Sequence, residues 1–304
     1  MNHDGKRDFI GYGSNIPNPR WPNGARVAVN FVVNYEEGGE HCILDGDEHS
    51  ENYLTEVYGY EKKEGCRSLF VESQFEYGSR VGIWRLLRLF DEYAIKCTAL
   101  MVGLAAKKNM PLVHAIYDAG HEIAGHGYRW KDICGISRNQ QSTEIKQTVE
   151  ILNSVVKEGI SGWYNGSCNV DTRKILVENG ITYDSDEYND DLPYWKLVEN
   201  KQHLIIPYAF DTNDAKYYLP AGWSTGKEFA SYLIASFDAL YREGKTRPKM
   251  MTVALHSRIS GHPGRAEAIR EFLEYLKRIN NVWVCRRDEI ARHWYKNFNA
   301  TESL

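Results

Sequence analysis

Three stretches of this 304-residue chain carry side chains able to do acid–base chemistry. The first is Asn34-Tyr35-Glu36-Glu37-Gly38-Gly39-Glu40, two adjacent carboxylates followed by two glycines. In such a pair one carboxylate can take a proton from water while its neighbour binds or orients. A solvated acidic turn is the ordinary reading of such a run, but its place at the end of an apolar stretch argues for function. The second is His121-Glu-Ile-Ala-Gly-His126-Gly-Tyr-Arg-Trp130. Its histidines are five residues apart, so this is not H-E-x-x-H and no one helix face holds both on a metal. His121 reads as a structural histidine ahead of a strand, and His126 as a residue on the active face. The third is Met250-Met-Thr-Val-Ala-Leu-His256, followed by Ser257 and Arg258. A histidine carried by a buried strand to a barrel mouth can serve as a general acid. A lone histidine is usually structural; three candidate groups at three strand ends shift that balance.

These residues need strands to present them. Arg26 to Asn34 is β-branched and apolar, the pattern of a strand buried on both faces. Further strands are predicted at 96–103, 121–124, 162–164, 182–185, 203–208, 249–256 and 282–285. Between them fall helical stretches at 79–94, 110–119, 137–157 with Ser137 as N-cap, 172–178, 228–242 and 265–279. About seven βα units in alternation imply an α/β fold with a parallel sheet. With no break in composition, a closed or nearly closed barrel is expected, as one domain spanning 1–304 whose residues 1–24 form an irregular arm, with Trp21 packed on the body. In such barrels the residues just after each strand line the active face.

Composition narrows the partners. Net charge is −4, from 37 basic and 41 acidic residues, with no run of five or six like charges. That favours a small-molecule substrate, with no nucleic acid and no membrane. The apolar stretch 99–106 is too short to span a bilayer. Cysteines 42, 66, 97, 134, 168 and 285 form no C-x-x-C and are expected as reduced thiols of a cytoplasmic protein. The start of the chain has no apolar leader pattern, so the sequons at Asn165 and Asn299 are expected to be chance matches.

These pieces resemble the polysaccharide-deacetylase family, also called NodB-homology or carbohydrate esterase family four. Glu36-Glu37-Gly38 stands where that family has Asp-Asp-Gly. His126 with Trp130 stands where it has a metal-binding His-x-x-x-His, and Ala254-Leu255-His256 where it has its closing Leu-x-His strand. Longer runs are similar to the metal-independent allantoinases within it: Asp8 to Gly13, Asn34 to Glu40, Glu76-Tyr-Gly-Ser-Arg80, Gly125 to Trp130, Tyr183 to Asp186 with Asp190-Asp-Leu-Pro-Tyr-Trp195, Asp211-Thr-Asn-Asp214, and Ala291 to Trp294. The resemblance implies a distorted seven-stranded (β/α) barrel, a homo-dimer or homo-tetramer, and hydrolysis of a non-peptide C–N bond, as in opening the hydantoin ring of allantoin in purine catabolism. N-deacetylation of a sugar, and a catalytically impaired homologue, are the alternatives.

The same resemblance distributes roles. Glu36 takes the position of the catalytic base and His256 that of the acid. Glu37 and His126 occupy former metal positions and are left to hold the substrate. Trp130 walls the pocket, and Tyr35, Arg80 and Arg258 are further candidates for substrate binding. A catalytic zinc takes three protein ligands and a water, and Trp130 has no lone pair to give, so no tightly bound metal or other cofactor is expected. Ser167 is a departure: the family has an arginine there that contacts the base carboxylate. Without it the carboxylate's pKa is expected to drift upward if buried, unless Arg80 or Arg258 reaches the same group.

Overall fold

The protein is described by a computed structural model covering residues 7–56, 61 and 63–298. The sequon at Asn299 and the start of the arm, residues 1–6, lie outside the described residues.

Strand β1 (Val27–Tyr35) is buried along its whole length and organises the sheet. Its odd-numbered side chains, Val27, Val29, Phe31, Val33 and Tyr35, pack into the helix layer with Phe90, Phe237 and Phe272. Ala28, Asn30, Val32 and Asn34 face the other way, into the barrel. On one edge β1 pairs in parallel with β8 (Lys249–His256) over its full length. On the other it pairs with β9 (Val282–Cys285) through its first half and with β2 (Thr98–Met101) through its second. From β2 the sheet continues through β3 (Glu122–Gly125), β4 (Gly162–Trp163), β5 (Tyr183–Asp184) and β7 (Lys201–Ile205), all parallel, and ends on β6 (Tyr194–Val198), antiparallel to β7.

The expected α/β barrel is therefore present but unclosed. Between β7 and β8 runs a connection joined to β8 by an isolated parallel bridge, Asn213 to Ala254. The interior beneath the mouth is filled by Arg287, fully buried and bonded to Asn30, Thr252 and Ser185 and to the Pro207 carbonyl. Helices cover the outside: α1 (Leu69–Tyr77), α2 (Ile83–Glu92), α3 (Gly103–Lys108), α4 (Met110–Asp118), α5 (Arg138–Asn153), α6 (Thr172–Glu178), α7 (Gly226–Glu243), α8 (Ser257–Ser260), α9 (Pro263–Leu276) and α10 (Arg287–Asn297). Ser137 caps α5 as its position predicts, accepting from the Gln140 amide. Trp21 packs on the body, its indole N–H on the Lys249 carbonyl.

Several elements depart from the sequence expectation, the short helices α3 and α8 among them. The helix expected over 79–94 is the π-turn Gly78–Gly82 followed by α2, and α1, which leads into that turn, went unanticipated. The strand expected at 203–208 is the second arm of a hairpin whose first arm, β6, carries the Pro-Tyr-Trp run. Helix α10 follows β9 and went unanticipated; it carries Arg287 into the barrel.

Candidate active site

At the carboxyl end of β1 the chain delivers Glu36, and β3 and β8 deliver His126 and His256 beside it. All three are buried. Glu36 Oε1 lies 3.2 Å from His126 Nε2 and 3.5 Å from His256 Nε2. Its other oxygen, Oε2, accepts from Arg258 Nη1 at 2.6 Å. Arg258 is 2% exposed, and its guanidinium lies 4.4 Å from the ring centre of Phe75 and 4.7 Å from that of Trp130. Burial alone would raise the Glu36 carboxyl. Arg258, His256 and the His126 hydrogen bond overcome that and hold it well below the usual carboxylate range.

This corrects the expectation attached to Ser167. The base carboxylate does not drift upward, because Arg258 reaches it from β8's end. Ser167 itself lies half-buried in the loop after β4, its hydroxyl accepting from the Ile133 amide.

His126 is fixed by a 2.7 Å bond from Nδ1 to the Tyr164 carbonyl. That oxygen can only accept, so Nδ1 carries the proton. His256 has a partner that the sequence reading missed. Asp214, fully buried, meets His256 Nδ1 at 2.6 Å through Oδ1, and through Oδ2 accepts from the His256 and Ser260 amides. Burial lowers the His256 pKa, but Glu36 and Asp214 outweigh it and lift it to about 9. At neutral pH His256 is therefore an imidazolium with an N–H toward Glu36.

Glu37 does not join this group. Its Oε2 accepts from the Ser257 hydroxyl at 3.0 Å and from the Glu36 amide at 3.1 Å, and its Oε1 from the Arg258 amide at 3.0 Å. Burial pushes its carboxyl up, and the charge of Glu36 adds to this against the pull of Arg258. It ties β1 to the start of α8. Gly78 belongs to the same arrangement: a Cβ there would run into the Glu37 carboxylate and the Arg258 amide, so the π-turn passes close because residue 78 has no side chain.

Two expected substrate-binding residues lie elsewhere. Arg80 is exposed at the π-turn and, among the described residues, pairs with Glu76 at 3.8 Å, a helical neighbour, and not with Glu36. Tyr35 points into the helix layer, where its hydroxyl meets Ser79 at 2.7 Å and Asn109 at 3.2 Å. Trp130 stays at the mouth, stacked on Tyr53 with ring centres 5.9 Å apart. Tyr188 packs on Phe210 at 4.6 Å, its hydroxyl meets that of Tyr164 at 2.9 Å, and the Tyr164 ring stacks on His126 at 5.2 Å. His121 is structural, its Nδ1 accepting from the Cys97 amide. Gly222-Trp-Ser-Thr-Gly226 has the spacing of a nucleophile elbow, but Ser224 is an exposed residue ahead of the α7 capping box, its amide on Glu228.

The residues present do not fit the divalent metal that related sites carry. Both Glu37 oxygens are engaged by Ser257 and backbone amides, Trp130 offers no lone pair, and an ion beside Glu36 would meet the buried Arg258 guanidinium. Chemically, the arrangement offers one ionised carboxylate, one protonated imidazole and one guanidinium around a common point.

Comparison with known proteins agrees with this fold. Residues 67–183 match the family model described as polysaccharide deacetylase. A Schizosaccharomyces pombe protein named for the polysaccharide deacetylases is 37% identical over 309 residues, covering 95% of this chain and 96% of its own. The Helicobacter pylori peptidoglycan deacetylase is 24% identical over 256 residues, 72% of this chain and 86% of that protein. The crystal structure of PuuE allantoinase superposes with a TM-score of 0.94 at 44% identity, over 96% of this chain and 98% of that one. That of a Pseudomonas aeruginosa PAO1 protein, a probable polysaccharide deacetylase, also gives 0.94, at 43% identity over 96% and 99% of the two chains. Among the described residues no helix is long and apolar enough to cross a membrane. By fold and sequence the chain belongs to the polysaccharide deacetylase family, hydrolases acting on C–N amide bonds, and sits with its allantoinase branch.

Proposed function

We propose that this protein hydrolyses a ring C–N bond of a cyclic ureide or imide, as an allantoinase does, without a tightly bound metal. The observation that carries the reading is the Glu36 carboxylate held between His256 and Arg258. Water on Glu36 gives up its proton to the carboxylate as its oxygen attacks the ring carbonyl carbon. The tetrahedral carbon then expels the ring nitrogen, which takes the Nε2 proton of His256 as the C–N bond breaks. The proton held by Glu36 returns to His256 across the 3.5 Å between them, and the product is a carboxylic acid with a freed N–H. The aromatic rings of the site, Trp130 stacked on Tyr53 and Tyr164 stacked on His126, suit a flat ring.

The likeness to PuuE allantoinase supports this substrate class. A place in purine catabolism, a cytoplasmic setting and a homo-oligomer are part of the same proposal and rest on the sequence resemblance alone. The test is ring opening of allantoin, hydantoins and cyclic imides by chelator-treated protein. Opening of one of these rings is expected. Acetate release from chito-oligosaccharides with no ring opened would instead favour an N-deacetylase.

A further inference from the structure

We infer that Arg258 is the electrophile of this site: its Nη2 donates to the carbonyl oxygen under attack and holds the oxyanion that forms there. The inference rests on the amide-hydrolase reading above and assigns the role that a metal plays in related sites to a side chain of this one.

The geometry around Arg258 is unusual for a buried arginine. Of its donors, Nη1 serves Glu36 at 2.6 Å and Nε reaches the Leu54 carbonyl at 3.4 Å. Nη2 is buried and, among the described residues, has no hydrogen-bond partner. Buried guanidinium N–H groups are nearly always satisfied, because water has been removed from them and must be replaced. An orphan beside the base is therefore a donor awaiting an acceptor. The two Nη atoms share one carbon in a rigid plane. An oxygen that accepts from Nη2 thus places its own carbon next to Glu36, within reach of a water that Glu36 holds.

The plane is set by its neighbours. Phe75, from α1, and Trp130, from the loop after β3, lie 4.4 and 4.7 Å from the guanidinium carbon. Trp130 occupies the position of the family's second metal-binding histidine. The residue that removes a metal ligand here is thus also a wall of the cage that holds a fixed positive charge. Donation to a forming oxyanion draws Arg258 away from Glu36. The carboxylate, weakened as a base by that ion pair at rest, recovers basicity as the attack proceeds.

The experiment uses the full chain in chelator. Arg258→Lys keeps a positive charge but loses the planar fork, and Arg258→Ala removes both. For a ring that the wild type opens, kcat is expected to fall about 100- to 1,000-fold in Arg258→Lys. Millimolar guanidinium chloride should restore part of the Arg258→Ala activity where ammonium chloride does not. Equal kcat in Arg258→Lys and wild type, or no guanidinium rescue in a folded Arg258→Ala protein, overturns the inference. A second readout needs no turnover: hydantoin titrated calorimetrically into Glu36→Gln and into Glu36→Gln/Arg258→Lys. At least a tenfold weaker Kd in the double variant is expected, and an unchanged Kd overturns the inference. Wild-type protein that opens no ring while this binding difference holds refutes the ring-opening function and leaves Arg258 as the carbonyl donor. Protein that neither opens nor binds any of these rings overturns both.

Discussion

Replacing Asp214 by Asn tests whether His256 acts as a charged acid. The substitution keeps an oxygen that can face His256 Nδ1, now without the charge across the 2.6 Å bond. In the native site burial pulls the His256 pKa down, and Glu36 and Asp214 raise it from the ordinary 6.5 to about 9. The net rise is what remains after the burial cost, so losing the Asp214 charge and weakening its hydrogen bond lowers it. A fall of roughly one to three units follows, each unit being about 1.4 kcal/mol. The basic limb of kcat/KM should move from about 9 toward neutrality, while Glu36 keeps Arg258 and the acid limb stays low.

Stability supplies a check that needs no substrate. A histidine whose pKa is higher in the folded than the unfolded chain contributes fully below the unfolded value of 6.5 and loses that contribution as pH rises through about 9. For His256 the span corresponds to roughly 3 kcal/mol in the native protein. Denaturant unfolding measured between pH 6 and pH 9.5 should show this loss in wild type and a flatter curve in Asp214→Asn. Parallel stability curves together with an unmoved basic limb would refute the reasoning.

Glu36→Gln removes the base but keeps the shape of the site, and should cost about 100- to 10,000-fold in kcat; a loss under tenfold, seen in steady-state rates, contradicts the assignment. Ser167→Arg restores the family's arginine where Glu36 Oε2 is already held by Arg258, so kcat should change less than about twofold; a tenfold rise would show that Arg258 does not fill that role. Trp130→His offers an imidazole to a metal, but with both Glu37 oxygens engaged no tight zinc binding is expected in calorimetric titration. Gly78→Ala drives a methyl group toward the Glu37 carboxylate, and overpacking there should cost roughly 1–3 kcal/mol in denaturant unfolding; an unchanged midpoint would show that the π-turn can shift freely.

The parts legible in the sequence are those whose physics is local. β8 and α6 have the bounds expected of them, because a strand buried on both faces and a short helix with an apolar side write themselves into consecutive residues. The strand ends followed from this, and so did the meeting of Glu36, His126 and His256. What stayed hidden depends on proximity through space. Asp214 comes from the connection between β7 and β8, not from a strand end, and no periodicity marks it. The choice between Arg80 and Arg258 rests on a side chain's direction, and only Arg258 points at Glu36. Gly78 resembled its counterparts in sequence, but its reason, the Glu37 carboxylate against its backbone, is a tertiary contact. Glu37 itself was misplaced because motif position was taken for orientation.

Residues 256–258 meet residues 36–37 as a register of consecutive contacts: His256 to one oxygen of Glu36, Ser257 to Glu37, Arg258 to the other oxygen of Glu36. Acid, clamp and cation are thus read out by one short stretch of chain in fixed order. An insertion or deletion of a single residue at the end of β8 would exchange all three assignments at once, whereas a point substitution alters only one. Variation in this protein's chemistry is therefore confined to substitutions at constant length there, while the loops on the far walls are free to change in length and reshape the mouth.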